Sequence, residues 1–135
     1  MSIEAWGDEN PDDAHYDSWS DRATDAGWVD LADYSAGAVD ILKERERQEA
    51  VEGWTPAHDD EHDQCELSLA GAVYALSGSA DSALRQDARQ SAIRELWPFQ
   101  NHWFKPTGGR EDLVKAGALI AAEIDRLDRL AAKPD

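Results

Sequence analysis

Cysteine is nearly absent from this 135-residue chain: Cys65 stands alone, which excludes an intramolecular disulfide and any zinc site built only on cysteines. Large apolar residues are scarce as well, with Leu, Ile, Val and Phe making up about 17% of the sequence. Bases are few, 13 Lys and Arg against 29 Asp and Glu, for a formal net charge of -16. A thin apolar complement beside a large net charge lies where disorder begins to compete with folding. The sign of the charge excludes direct binding to DNA or RNA as the default role, because a phosphate backbone is held by clustered cations that release counterions. No apolar run approaches the ~20 residues that cross a bilayer, so no membrane partner is expected. Residues 1–8 have neither the basic nor the apolar region of a signal peptide, and a cytoplasmic protein is the expectation.

What is present is unevenly placed. Residues 1–66 hold 20 acids and four bases, whereas residues 67–135 balance nine acids with nine bases. Over residues 1–38 the only aliphatics besides alanine are Ile3, Val29 and Leu31, among Trp6, Tyr16, Trp19, Trp28 and Tyr34. Acids interleaved with aromatics cannot close a core of their own. Residues 1–38 therefore read as an acidic, partly disordered N-terminal arm, and residues 39–135 as a helical domain. The arm is either a solvated tail or an interaction segment whose aromatics anchor in a partner while its carboxylates meet cations.

The body reads as all-α, three to four helices with an aromatic loop wedged among them. A first helix is expected over 40–52, with Val39, Leu42 and Val51 as its only core-facing residues and Gly53 as its left-handed stop. Thr55 and Pro56 read as an N-cap and first helical residue of a second. Residues 66–76 place Leu67, Ala70, Gly71, Tyr74 and Ala75 on one helical face and Leu69, Val73 and Leu76 on another, the mark of a central helix. Ser79 is expected to cap a helix from 80 to about 96. Residues 97–106, bounded by Pro98 and Pro106 and carrying Trp97, Phe99, Trp103 and Phe104, read as a loop. A last helix follows Gly108 and Gly109, with Leu113, Gly117, Ile120, Ile124, Leu127 and Ala131 as its apolar stripe and Gly117 as the point where another helix comes close. No segment alternates as a half-buried strand does.

The densest polar cluster is His58, Asp59, Asp60, His62 and Glu66. On a continuous helix His58, His62 and Glu66 share a face at i, i+4 and i+8, and two imidazoles with a carboxylate suit a divalent transition metal. Helical zinc hydrolases, however, place a glutamate after the first histidine, where this chain has Asp59. A charged turn with two exposed histidines is the preferred reading, and no cofactor is expected. Cys65, between Asp63 and Glu66, sits in a field that disfavours the thiolate. There is no Gly-x-Ser-x-Gly elbow and no phosphate-binding glycine loop, so no catalytic residue is assigned. Gly108, Gly109 and Arg110 read as a turn and a solvated arginine.

Residues 44–48 (Glu-Arg-Glu-Arg-Gln), 52–62 (Glu-Gly-Trp-Thr-Pro-Ala-His-Asp-Asp-Glu-His), Glu66-Leu67 with Ala72 and Tyr74-Ala75, Trp97-Pro98, 103–106 (Trp-Phe-Lys-Pro), 112–120 and 122–129 together resemble a family of small phage and prophage accessory proteins, mostly of unassigned function. The likeness covers about two thirds of the chain and leaves out the acidic arm. The Glu-Arg-x-Arg-Gln opening is also similar to phage relatives of the all-α MazG-type nucleotide pyrophosphohydrolases, whose Glu-Glu-x-x-Glu magnesium motif is missing here. The Glu-Gly-Trp-Thr-Pro stretch is similar to RyR-type domains, which implies ligand binding.

Two functions follow as expectations. In the first, a non-enzymatic phage protein acts in the host bacterial cell against a defence system such as CRISPR. It imitates nucleic acid with Asp8, Glu9, Asp12, Asp13, Asp17, Trp19, Asp21, Asp25, Trp28, Asp30 and Asp33, and its partner is a host protein or nucleoprotein complex with a basic surface. In the second, Trp54, His58, Trp97, Trp103, Lys105 and Arg110 form a pocket that sequesters a nucleotide or nucleotide-derived signal, or hydrolyses it if the histidine cluster holds a metal. Full burial of Trp54 against Trp103 would exclude that pocket. Either function is compatible with a homodimer through the last helix.

Overall fold

The structure, a computed structural model, describes residues 30–79 and 82–134. It is all-helical, with no strand among the described residues. Its elements are a 3-10 turn at Leu31–Asp33, α1 (Ala36–Ala50), a single turn α2 (Pro56–Asp59), α3 (Glu66–Gly78), α4 (Gln86–Leu96), a 3-10 turn at Asn101–Trp103, and α5 (Gly109–Ala132). None of the described helices is long and apolar enough to cross a membrane.

Local chemistry sets most boundaries. Ser35 caps α1, its Oγ accepting from the Ala38 N–H at 3.3 Å, so the helix begins four residues earlier than its charge pattern suggested. Gly53 takes a left-handed φ of 77° after α1, and Trp54 N–H donates back to the Gln48 carbonyl at 3.0 Å. Thr55 and Pro56 open α2 as expected, with Thr55 Oγ1 accepting from His58 N–H at 3.3 Å. That helix lasts one turn only, which removes the continuous 58–66 face on which the metal spacing rested. The other correction of this kind is α4. Ser79 does not cap it; its hydroxyl donates to the Ala75 carbonyl, and the helix starts at Gln86 after Arg85 in a left-handed conformation.

The core lies between α3 and α5, which run antiparallel. Leu67, Ala70 and Tyr74 meet Ala116, Leu119 and Ala122, and Trp54, Trp97, Phe99 and Phe104 pack on the outside of that cluster. The helices approach so closely that a Cβ on Gly78 would lie 2.8 Å from Leu113 Cγ and 2.9 Å from the Gly109 carbonyl oxygen. Gly117 does admit α1, since a Cβ there would meet Ile41 Cδ1 at 2.7 Å. The apolar stripe assigned to the last helix is not its core face, however. Ala116, Ala118, Leu119 and Ala122 are buried, while Leu113, Ile120, Ile124 and Leu127 are about half exposed. In α1, Val39 is buried as expected, but Val51 lies beyond the helix and is exposed, and Gln48 takes the second buried position.

Asp112 fastens the start of α5. It is fully buried, and its carboxylate accepts from Ser77 Oγ at 2.8 Å, Thr107 N–H at 2.9 Å and Gly108 N–H at 3.1 Å. Burial alone pushes its pKa up, but the hydrogen bonds from Thr107, Ser77 and Gly108 outweigh that and hold it below the ordinary aspartate value. A depressed folded-state pKa contributes stability above the unfolded pKa and loses it as the carboxylate takes up its proton. Asp112→Asn should therefore cost about 2–3 kcal/mol at neutral pH, since it strands buried donors. Urea denaturation across pH should show the gap between wild type and variant narrowing below about pH 4.

Candidate functional site

Two cavities meet beneath the aromatic loop. One, of about 360 Å³, is lined by His58, His62, Trp97, Phe99 and Leu67. The other, of about 660 Å³, is lined by the polar face of α1 (Asp40, Lys43, Glu44, Arg47, Gln48) and by Lys105, Arg110 and Lys115 across from it. Glu52, Trp54, Tyr74, Trp103 and Leu119 belong to both, so the cavities share a wall. Both volumes fall in the range of small-molecule sites.

Tyr74, projecting from the middle of α3, positions the loop. Its ring contacts Phe104 (5.2 Å between centroids) and Trp97 (5.7 Å), and its hydroxyl accepts from Lys105 N–H at 2.9 Å. Burial raises the Tyr74 pKa despite that N–H, which keeps the phenol protonated. Lys115 Nζ, 5.5 Å above the same ring, donates to the Lys105 carbonyl and to Thr107 Oγ1. The Lys105 ammonium lies 5.6 Å above the Trp103 ring, and no carboxylate among the described residues is within ion-pair distance of it.

The α1 wall is zipped by charge. Arg47 Nε is 2.7 Å from Glu44 and its Nη1 is 3.1 Å from Glu52. The hydrogen bond to Glu44 leads in raising the Arg47 pKa further above the ordinary guanidinium value. Arg110 reaches across to Asp40 at 2.8 Å. Gln48 is buried; its Nε2 donates to Glu44 Oε2 at 3.1 Å, and its Oε1 has no hydrogen-bond partner among the described residues.

The histidine cluster is assembled by a turn rather than a helix. His58 and His62 face each other through Nε2 atoms 3.4 Å apart, His58 Nδ1 is 3.3 Å from Asp59 Oδ1, and His62 Nδ1 is 3.0 Å from Glu66 Oε2. Burial pushes the Glu66 pKa up, but the bonds from His62 and from backbone N–H groups outweigh it and hold the carboxyl below its ordinary value. Trp54 stacks on His58 at 6.4 Å, and Phe99 meets His62 edge-on at 5.2 Å. Asp60 turns away to Arg129 of α5, at 2.9 Å. Asp59 is buried and paired with Arg45 Nη2 at 2.7 Å, while Arg45 Nη1 donates to the Trp54 carbonyl. The five residues weighed as a ligand set thus split between ring bracing and ion pairs. No group of three or more His, Cys, Asp or Glu among the described residues is arranged to hold a metal.

All six residues expected in the pocket line one cavity or the other. Trp54 is half-buried and Trp103 is 45% exposed, so the burial that would exclude the pocket does not occur. The sequence reading missed the α1 wall. Its signal was the run of polar side chains at 40, 43, 44 and 47, on a helix for which only Val39, Leu42 and Val51 were expected to face inward. Of the acidic arm, Asp8, Glu9, Asp12, Asp13, Asp17, Trp19, Asp21, Asp25 and Trp28 lie outside the described residues. Asp30 Oδ1 accepts from Ala32 N–H at 2.9 Å, Asp33 is exposed, and Leu31 between them is 1% exposed, pinning the chain to the body. Comparison with protein-family models, curated proteins and solved structures returned no match.

Arg45 is the tie on which the histidine turn depends. Arg45→Ala leaves the buried Asp59 carboxylate without its cation and should destabilise the protein by about 3–5 kcal/mol. Asp59→Asn in that background should recover part of the loss, as measured by chemical denaturation.

Proposed function

We propose that the protein binds and sequesters a small ligand with a planar ring system and an anionic tail, of the nucleotide class. The observation that carries this reading is the shared wall of Trp54, Tyr74 and Trp103 between an aromatic cavity and one bearing cations. A base stacks among Trp54, Trp97, Trp103 and the histidine rings, since aromatic faces accept any base. Its phosphates extend toward Lys105 and Arg110, of which Lys105 lacks a carboxylate partner among the described residues. Gln48, which lines the second cavity and whose Oε1 has no hydrogen-bond partner among the described residues, suits an N–H or O–H of the ligand. No nucleophile or activated water is needed for this role, which is binding rather than catalysis.

Tryptophan emission reports on the site directly. Titration with AMP, ADP and ATP should give saturable quenching that tightens as phosphates are added. Trp103→Ala and Lys105→Ala should each weaken binding about tenfold or more, as loss of one stacking or one charge-assisted contact does. Absence of saturable quenching with purine and pyrimidine nucleotides alike would falsify the reading.

A second reading, an anti-defence protein whose acidic arm occupies a cationic groove on a host complex, is favoured by the confinement of the net charge of -16 to residues 1–66. Pull-down from host lysate should then retain a basic complex with the full chain but not after deletion of residues 1–29. Retention should fall as salt rises, because the attraction is between exposed charges.

A further inference from the structure

Two imidazoles in the smaller cavity meet tip to tip. His58 Nε2 and His62 Nε2 lie 3.4 Å apart, and both rings line the aromatic cavity with part of each side chain open to solvent. Each ring is backed by a carboxylate on its other nitrogen: His58 Nδ1 by Asp59 Oδ1 at 3.3 Å, and His62 Nδ1 by Glu66 Oε2 at 3.0 Å. An ionised carboxylate accepts and cannot donate, so each Nδ1 carries the hydrogen and each Nε2 keeps its lone pair. Neutral rings in this tautomer bring two lone pairs together, an arrangement that is repulsive by itself and that a shared cation makes favourable.

We infer that His58 and His62 form a two-nitrogen site for a late first-row divalent ion of the zinc class. The spacing has the right size, because a tetrahedral ion with Zn–N bonds of about 2.0–2.1 Å holds two nitrogens about 3.3–3.4 Å apart. A carboxylate behind each histidine is the arrangement that fixes tautomer and ring angle in metal sites and makes the free nitrogen a better donor. The turn that carries the rings is braced as well. Asp59 is tied to Arg45 at 2.7 Å, Trp54 stacks on His58, and Phe99 meets His62 edge-on, so the metal has little left to order. Imidazole suits zinc, copper and nickel, whereas magnesium and calcium take oxygen ligands. Asp59 and Glu66 act as positioning residues and Asp60 is engaged by Arg129, so the protein supplies two ligands and leaves the other positions to water or to a donor atom of a cavity ligand. This site goes beyond the nucleotide reading and does not depend on it, since the metal is titrated alone.

Isothermal titration calorimetry of the full chain with Zn²⁺ tests the site, run in excess Mg²⁺ so that exposed carboxylates are already occupied. One equivalent should bind saturably. His58→Gln and His62→Gln should each abolish that binding while the circular dichroism of the helices is retained. Cys65→Ser, which removes the exposed thiol nearby, and His102→Gln should leave it unchanged. Glu66→Gln should weaken it about tenfold or more, as loss of a carboxylate behind a ligating histidine does. Co²⁺ should report the same site by a visible absorption band that either histidine substitution removes. Absence of saturable Zn²⁺ binding, its survival in either histidine variant, or its dependence on Cys65 overturns the proposal. Wild-type affinity in Glu66→Gln overturns the positioning role of that carboxylate.

Discussion

The close approach of α3 and α5 is the constraint on which the rest of the molecule depends. A chain with so few large apolar residues cannot build a thick core, and this one brings two helix backbones together over glycine and alanine instead. At Gly78 even a methyl group would collide with the Gly109 carbonyl and Leu113. The contact is then secured at one end by Asp112, which binds Ser77 at the end of α3 while holding the two backbone N–H groups that lead into α5. A buried carboxylate satisfied three times over is both a cap and a cross-brace.

From that pair of helices the aromatic segment takes its place. Tyr74 offers a ring to Trp97 and Phe104 and a hydroxyl to the Lys105 backbone, so the loop is fixed at its two ends to one side chain of α3. What remains between the loop, α1 and the histidine turn is open space rather than filled core. Charge holds that space open. The Arg47 pairs with Glu44 and Glu52, the Arg110 pair with Asp40 and the buried Arg45–Asp59 pair fix the surrounding walls without filling the gap with apolar side chains. A net-acidic protein thereby acquires a local patch where Lys105 has no carboxylate partner among the described residues.

The molecule separates its surfaces. The cavities open on the side of α1 and the aromatic loop, and the exposed apolar side chains of α5 lie between α1 and α3. Leu31, buried between Asp30 and Asp33, marks where the acidic stretch joins the body. The cavities and the exposed apolar side chains of α5 therefore draw on different residues.

The sequence by itself determined the helical class, the centrality of residues 66–78, the loop character of residues 97–106, the cap at Thr55 and the close approach at Gly117. Each of these follows from local causes: periodicity, proline placement, side-chain capping or the absence of a Cβ. It also marked six of the residues that line the cavities, because tryptophan, histidine, lysine and arginine are conspicuous by type. Only the tertiary structure decided which face of α5 is buried. Its alanines and its larger aliphatics both repeat at helical spacing, and the choice between them rests on how closely α3 can come, which favours the small side chains. Only the tertiary structure broke the chain after Asp59, so that His58, His62 and Glu66 meet around a turn instead of along a helix. And only it turned the polar stripe of α1 into a cavity wall, because a charged helix face has the same sequence whether it looks at solvent or at another part of the same molecule.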